Sequence, residues 1–196
     1  LPFWEWLAVI TALLYVVLAA RENIWCWPAA LISTVIYSVI FYDVYLWMDS
    51  LLQVYYFFMA IYGWFCWQSI TQPKKMAAQI QSWSWQTHVF IVTGLSIVSL
   101  IVGEMMARFT PADFPYLDSA TTVFAVFATY LVATKVLENW LYWIVIDAVS
   151  IYLYLAKELQ PTAVLFGLYV VMALYGYFQW SARYQKNTQP LQVSLR

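Results

Sequence analysis

Glu138-Asn139-Trp140-Leu141-Tyr142-Trp143-Ile144-Val145-Ile146-Asp147, continuing to Tyr154, is the stretch on which the reading of this chain turns. It reads as a membrane-spanning helix with a carboxyl group in the middle of an apolar run. Ionisable groups at bilayer depth are costly and mark function by default. Trp140, Trp143, Asp147 and Tyr154 stand at i, i+3, i+7 and i+14, so at 3.6 residues per turn they share one face. Two indoles, a carboxyl and a phenol on one face suit a flat, polar or cationic ring.

The whole chain has the same character. Of its 196 residues 64% are hydrophobic and 10% charged, with a mean hydropathy of +0.70. A soluble domain is nearer ~45–50% apolar and ~25% charged, so the composition predicts a polytopic membrane protein. Aromatics make up 20% of residues, more than lipid-facing duty needs, and some rings are expected to line a cavity. A net charge of −1 argues against a nucleic-acid partner. Cys26 and Cys66 fit no metal spacing. They are expected near cytoplasmic helix ends, as reduced thiols. The chain starts Leu1-Pro2 without a Met, so the natural N-terminus is expected upstream. No cleavable signal peptide is expected, because the first apolar run lacks a basic leader.

About 20 apolar residues cross the hydrocarbon core. Seven such segments are predicted: Phe3–Ala20, Asn23–Tyr42, Trp47–Ile70, Trp85–Ala107, Ser119–Leu137, Asn139–Ala156 and Thr162–Ala182. Charges and turn formers fill the joints, and the stretch from Arg108 to Asp118, with Pro111 and Pro115, is expected to be ordered but irregular. Lys and Arg set the orientation. With the N-terminus outside, Arg21, Lys74, Lys75, Lys135, Arg183, Lys186 and Arg196 face the cytoplasm and only Arg108 and Lys157 face out. The C-terminus is then inside.

An internal repeat is visible. Glu22-Asn23-x-x-x-Trp27 matches Glu138-Asn139-x-x-x-Trp143. Tyr56-x-x-Met59-Ala60-x-Tyr62-Gly63-x-x-x-Trp67 matches Tyr169-x-x-Met172-Ala173-x-Tyr175-Gly176-x-x-x-Trp180. The two matches have different offsets, which implies a three-residue gap between them. Helices one to three pair with five to seven, and helix four restores the direction. The expected fold is all-α transmembrane, seven helices as a 3+1+3 parallel repeat. Its parts are 1–70, the linker helix with its loops at 71–117, 118–182, and a cytoplasmic tail at 183–196. Parallel repeats about an axis along the membrane normal are a transporter design, with the site near mid-membrane between the repeats. Asn23, Trp27, Thr34, Tyr37 and Phe41 form a stripe on helix two. Asp49, Gln53, Tyr56, Ala60, Gly63 and Trp67 form one on helix three, and Thr162, Phe166, Tyr169, Ala173, Gly176 and Trp180 its match on helix seven.

Trp140-x-x-Trp143-x-x-x-Asp147-x-x-x-x-x-x-Tyr154 resembles the signature of PnuC-type vitamin transporters, whose third typed position is Asn or Asp. The resemblance spans nearly the whole chain. It implies a SWEET-like helix arrangement, a homotrimer in the bacterial inner membrane, and facilitated uptake of nicotinamide riboside. Phosphorylation by a cytoplasmic riboside kinase would trap the substrate. Related members carry thiamine or riboflavin. No cofactor, metal or catalytic residue is implied.

On that basis the substrate is expected to meet Trp143, Asp147, Tyr154, Gln53, Tyr56, Thr34, Tyr37, Tyr169 and Ser150. Aromatic faces attract the cationic pyridinium. Asp147 accepts ribose hydroxyls or offsets the charge, and Gln53 pairs with the amide. Asn23, Trp27, Asn139 and Trp140 are the expected gate. The structural alternatives stay open. Asp147 can pair for packing, Gln53 can bond between helices, Asn23 and Asn139 can cap, and Trp140 can anchor at the interface. Trp4, Trp6, Trp47, Trp64, Trp83 and Trp85 read as anchors. His88 reads as structural or solvated, Glu22 and Glu138 as solvated. A retinal pigment is disfavoured because 162–182 holds no lysine, while a seven-helix ligand sensor stays open as an alternative to transport. One His, two separated Cys and no carboxylate pair at helical spacing leave little for an enzyme. Asp147 alone at mid-depth shows no proton relay.

Overall fold

A computed structural model of the chain describes residues 3–43, 47–68, 79–156, 158 and 160–188. Seven helices are present among them: α1 (Phe3–Ala20), α2 (Cys26–Asp43), α3 (Trp47–Trp67), α4 (Trp85–Phe109), α5 (Pro115–Ala133), α6 (Asn139–Ala156) and α7 (Gln160–Thr188). All but α3 are long and apolar enough to cross a membrane. α3 carries Asp49, Gln53 and a run of aromatic residues, which lower its hydropathy.

Packing is the reverse of a soluble core. The buried hydrophobic set is rich in alanine, including Ala8, Ala19, Ala20, Ala60, Ala128, Ala133 and Ala173, while Phe58, Phe90, Leu100 and Val171 point outward. Between membrane helices no hydrophobic force drives association, so small residues that permit close approach hold the contacts and large apolar ones meet lipid.

The helices pack in a balanced pattern. α2 lies against α1 and α3, and α6 against α5 and α7. α3 touches α5, and α7 touches α1. α4 packs along α5 and, through His88, also meets Tyr142 of α6.

Two corners fix these directions. At the end of α1, Glu22 takes φ 58° and its N–H donates to the Ala19 carbonyl, while Asn23 N–H donates to Leu18. At the end of α5, Lys135 takes φ 55°, donates to Val132, and is followed by Val136 donating to Leu131. Both are Schellman turns, which close a helix through one left-handed residue. Lys135 and Glu22 lie 113 residues apart.

That single spacing corrects the sequence register. Trp27 packs on Gly63 and Trp140 packs on Gly176, so the counterpart of Trp27 is Trp140, not Trp143. Counted from the two corners, the α1–α2 and α3–α7 matches share one offset and no gap is needed. The Glu-Asn-x-x-x-Trp likeness is three residues, almost one helical turn, out of phase.

Boundaries differ where caps intervene. α2 starts at Cys26 rather than Asn23, because the α1 corner occupies 21–25. α5 starts at Pro115 and ends at Ala133, before left-handed Lys135. The irregular stretch expected from Arg108 to Asp118 therefore shrinks to the few residues after Phe109. Pro115 suits a first helical turn, where its missing N–H is not needed. α4 is capped by Ser84, whose hydroxyl accepts from Thr87 N–H at 3.4 Å.

Candidate functional site

Asp147 lies in the middle of α6, and α6 has no other acidic or basic side chain. It is 5% exposed, and among the described residues its carboxyl makes no hydrogen bond. Buried polar side chains are nearly always bonded, so an unpartnered one asks for an explanation. Tyr56 from α3 and Tyr169 from α7 both lie within electrostatic reach of it, and Tyr37 from α2 lies within reach of Tyr169. Four helices thus deliver one carboxyl and three phenols to a common region. Tyr56 and Tyr169 are counterparts at the 113-residue spacing, so they approach Asp147 from opposite groups of helices.

The other expected residues are spread over α2, α3 and α6. Tyr154 joins through Phe166, with ring centroids 5.0 Å apart, and Phe166 meets Tyr169 edge-on at 5.4 Å. Trp143 is half-buried and packs against both hydrophobic clusters of the core. Thr34 and Ser150 are buried but satisfy their hydroxyls within their own helices, at the Leu31 and Ile146 carbonyls. Gln53 is half-buried on α3. Tyr37 stacks on Phe41 at 5.4 Å.

The four expected gate residues divide. Trp27 and Trp140 sit in a buried aromatic cluster with Trp67 and Trp180. Trp27 meets Trp67 at 5.2 Å, Trp67 meets Trp180 at 6.0 Å, and Trp140 meets Trp180 at 5.4 Å. The indole N–H groups of Trp27 and Trp140 and the Asn139 side-chain oxygen are buried without partners. Asn23, by contrast, is exposed and accepts Trp25 N–H at 3.0 Å, a local cap. Asn139 is fully buried and its amide donates to the Val136 carbonyl at 2.7 Å.

Glu22 and Glu138, read as solvated, and His88, read as structural or solvated, are integral to this end. Glu22 accepts from Lys135 Nζ at 2.6 Å and from Arg183 Nη1 at 3.0 Å. Glu138 accepts from the Ser82 hydroxyl at 2.7 Å and Trp83 N–H at 2.9 Å. His88 Nδ1 lies 2.9 Å from the Tyr142 hydroxyl. No sequence signal pointed to these partners, because they meet across separations of more than 50 residues. A cavity of about 420 Å³ between α3, α4 and α5 has an apolar lining and shares no residue with the Asp147 region.

A profile of the nicotinamide mononucleotide transporter family matches residues 2–182. The chain belongs to this family. Among relatives of PnuC type, the nicotinamide riboside transporter PnuC of Escherichia coli (strain K12) is 26% identical over 204 residues, covering 92% of this chain and 85% of its own. The riboflavin/roseoflavin transporter RibM of Streptomyces davaonensis is 22% identical, over 93% of this chain and 86% of its own. A crystal structure of the vitamin B3 transporter PnuC superposes with a TM-score of 0.75 at 20% identity, covering 92% of this chain and 81% of that one. The PnuC fold is therefore shared, and the chain is a multi-pass membrane protein of a transporter family, not an enzyme.

Proposed function

We propose that the chain is a facilitator for uptake of nicotinamide riboside across the bacterial cytoplasmic membrane. The observation that carries this reading is the buried Asp147 carboxyl, without a hydrogen bond among the described residues and within electrostatic reach of Tyr56 and Tyr169. A cationic pyridinium bearing a hydroxylated ribose supplies what that region lacks. The ribose hydroxyls donate to Asp147. The ring lies on aromatic faces worth ~0.5–2 kcal/mol each. Trp143, Tyr154, Tyr37, Thr34, Ser150 and Gln53 complete the lining, with Gln53 facing the amide. A phosphorylated mononucleotide fits less well. The described lysines and arginines lie beyond helix ends or in a helix's last six residues, away from mid-helix Asp147, leaving its phosphate beside a carboxyl with no cation.

In this reading α1–α3 and α5–α7 are parallel repeats with α4 between them. The 113-residue correspondence of corners and tryptophans supports that arrangement. The Lys and Arg distribution supports an N-terminus outside and a C-terminus inside. Trp27, Trp140 and Asn139 then stand at the inner end as a gate. Assembly is as a homotrimer, and a cytoplasmic riboside kinase draws the flux inward by trapping the product.

Similarity to RibM favours a second reading, in which the ring carried is a flavin or another vitamin. Flux into proteoliposomes tests the transport mode. Labelled riboside should equilibrate down its own gradient and ignore an uncoupler. Flux that requires a proton or sodium gradient would contradict facilitation.

A further inference from the structure

The four tryptophans close the bundle where α1 turns into α2 and α5 turns into α6. Trp27 and Trp180 are 1% and 0% exposed. Trp67 Nε1 donates to the Val132 carbonyl at 3.3 Å, and Trp180 Nε1 donates to Ala19 at 2.9 Å. Each indole therefore reaches from one group of three helices to the end of the first helix of the other. Over this plug lies an ion pair built the same way. Glu22 from the α1 corner and Lys135 from the α5 corner meet at 2.6 Å, with side chains 19% and 9% exposed. Lys135 Nζ also stands 4.7 Å over the Trp67 ring, and Arg183 bonds the second Glu22 oxygen.

The corners themselves do not require these residues. Both positions are left-handed, where glycine is the favoured residue and other side chains are uncommon. Something other than the turn explains a Glu and a Lys there. The contact they make is the one between the two groups of helices, and it is partly shielded from water, where charge-assisted bonds are strongest.

We propose that Glu22 and Lys135 are positioning residues that form an ionic latch across the two halves, holding the tryptophan plug shut. Opening this end to let a ligand pass between the Asp147 region and solvent separates the pair. The proposal rests on the transport reading above, which needs an end that opens.

Cys26 reports the opening. It is 0% exposed, begins α2 and packs in the same cluster as the four tryptophans. With Cys66→Ser it becomes the sole thiol. Maleimide labelling of Cys26 is followed in Glu22→Gly and Lys135→Gly, which remove the pair while suiting the left-handed backbone, so folding is not the casualty. Labelling should accelerate about tenfold, the factor given by losing one charge-assisted bond. Lys135→Arg keeps the charge and should label nearer the wild-type rate. Wild-type rates in both glycine variants would overturn the latch, as would Lys135→Arg labelling as fast as Lys135→Gly. Riboside titration on the same preparations keeps the questions apart. Absent binding in the wild type counts against the transport reading, while the Cys26 rates still judge the latch.

Discussion

A methyl group at Gly63 would stand 2.4 Å from Trp27 Cζ2, and one at Gly176 would stand 2.7 Å from the Trp140 ring. Both indoles are buried and packed edge-on against other tryptophans. Alanine is the better helix former by ~1 kcal/mol, yet overpacking a tight contact costs ~1–3 kcal/mol. Overpacking is therefore expected to win. Gly63→Ala and Gly176→Ala should each melt earlier in detergent. Gly94 and Gly167 meet nothing within 4 Å, so alanine there should hold or raise the melting temperature. Equal behaviour of all four variants would contradict the packing described. At this scale the sequence was informative about faces. The spacing of Trp140, Trp143 and Asp147 followed from helical period alone, and Tyr56 and Tyr169 were singled out by the repeat. What the chain order concealed was contact. Trp67 meeting Trp180, and Glu22 meeting Lys135, are tertiary events without a local signature.

At the level of elements, apolar runs announced all seven helices, but their ends did not follow from hydropathy. Three ends among the described residues carry a left-handed residue, Glu22, Lys135 and Glu158, and none of them advertises such a turn as glycine would. That is why α2 was expected to begin three residues early and why the first repeat match slipped by three. The approach to α4 was equally hidden. Gln81 bonds the α5–α6 turn through both backbone groups, with Gln81 N–H to Lys135 at 2.9 Å and Leu137 N–H to Gln81 at 2.8 Å. Glu138 secures the next two residues. Since the backbone of α4 packs only along α5 among the described residues, this strap and the His88–Tyr142 contact with α6 are its further attachments. Glu138→Ala should raise hydrogen exchange at Trp83 about tenfold, given ~1.5 kcal/mol or more for bonds to a charged acceptor. Unchanged protection would mean that the strap is held by Gln81 alone. The i,i+4 pair of Arg108 and Glu104 on α4 is 70% and 46% exposed, and its loss should matter little.

For the whole molecule, the corners, the indole bonds and the helix contacts recur at one spacing on both sides of a common centre. Asp147 departs from that balance, because its counterpart at the same spacing is Thr34, which satisfies its hydroxyl within its own helix. A carboxyl on one side only gives the centre a direction, and a ligand with a charged end and a hydroxylated end can read it. A riboside site at this centre requires that such a ligand bind there. Calorimetric titration of the purified protein with nicotinamide riboside, its mononucleotide, thiamine and riboflavin tests this directly, repeated on Asp147→Ala and Trp143→Ala. The riboside should bind most tightly, and Asp147→Ala should weaken it by at least tenfold, as loss of one bond to a charged acceptor would. Trp143→Ala should weaken it less. Riboside affinity unchanged in Asp147→Ala, or tighter binding of the mononucleotide, would contradict a riboside site at Asp147.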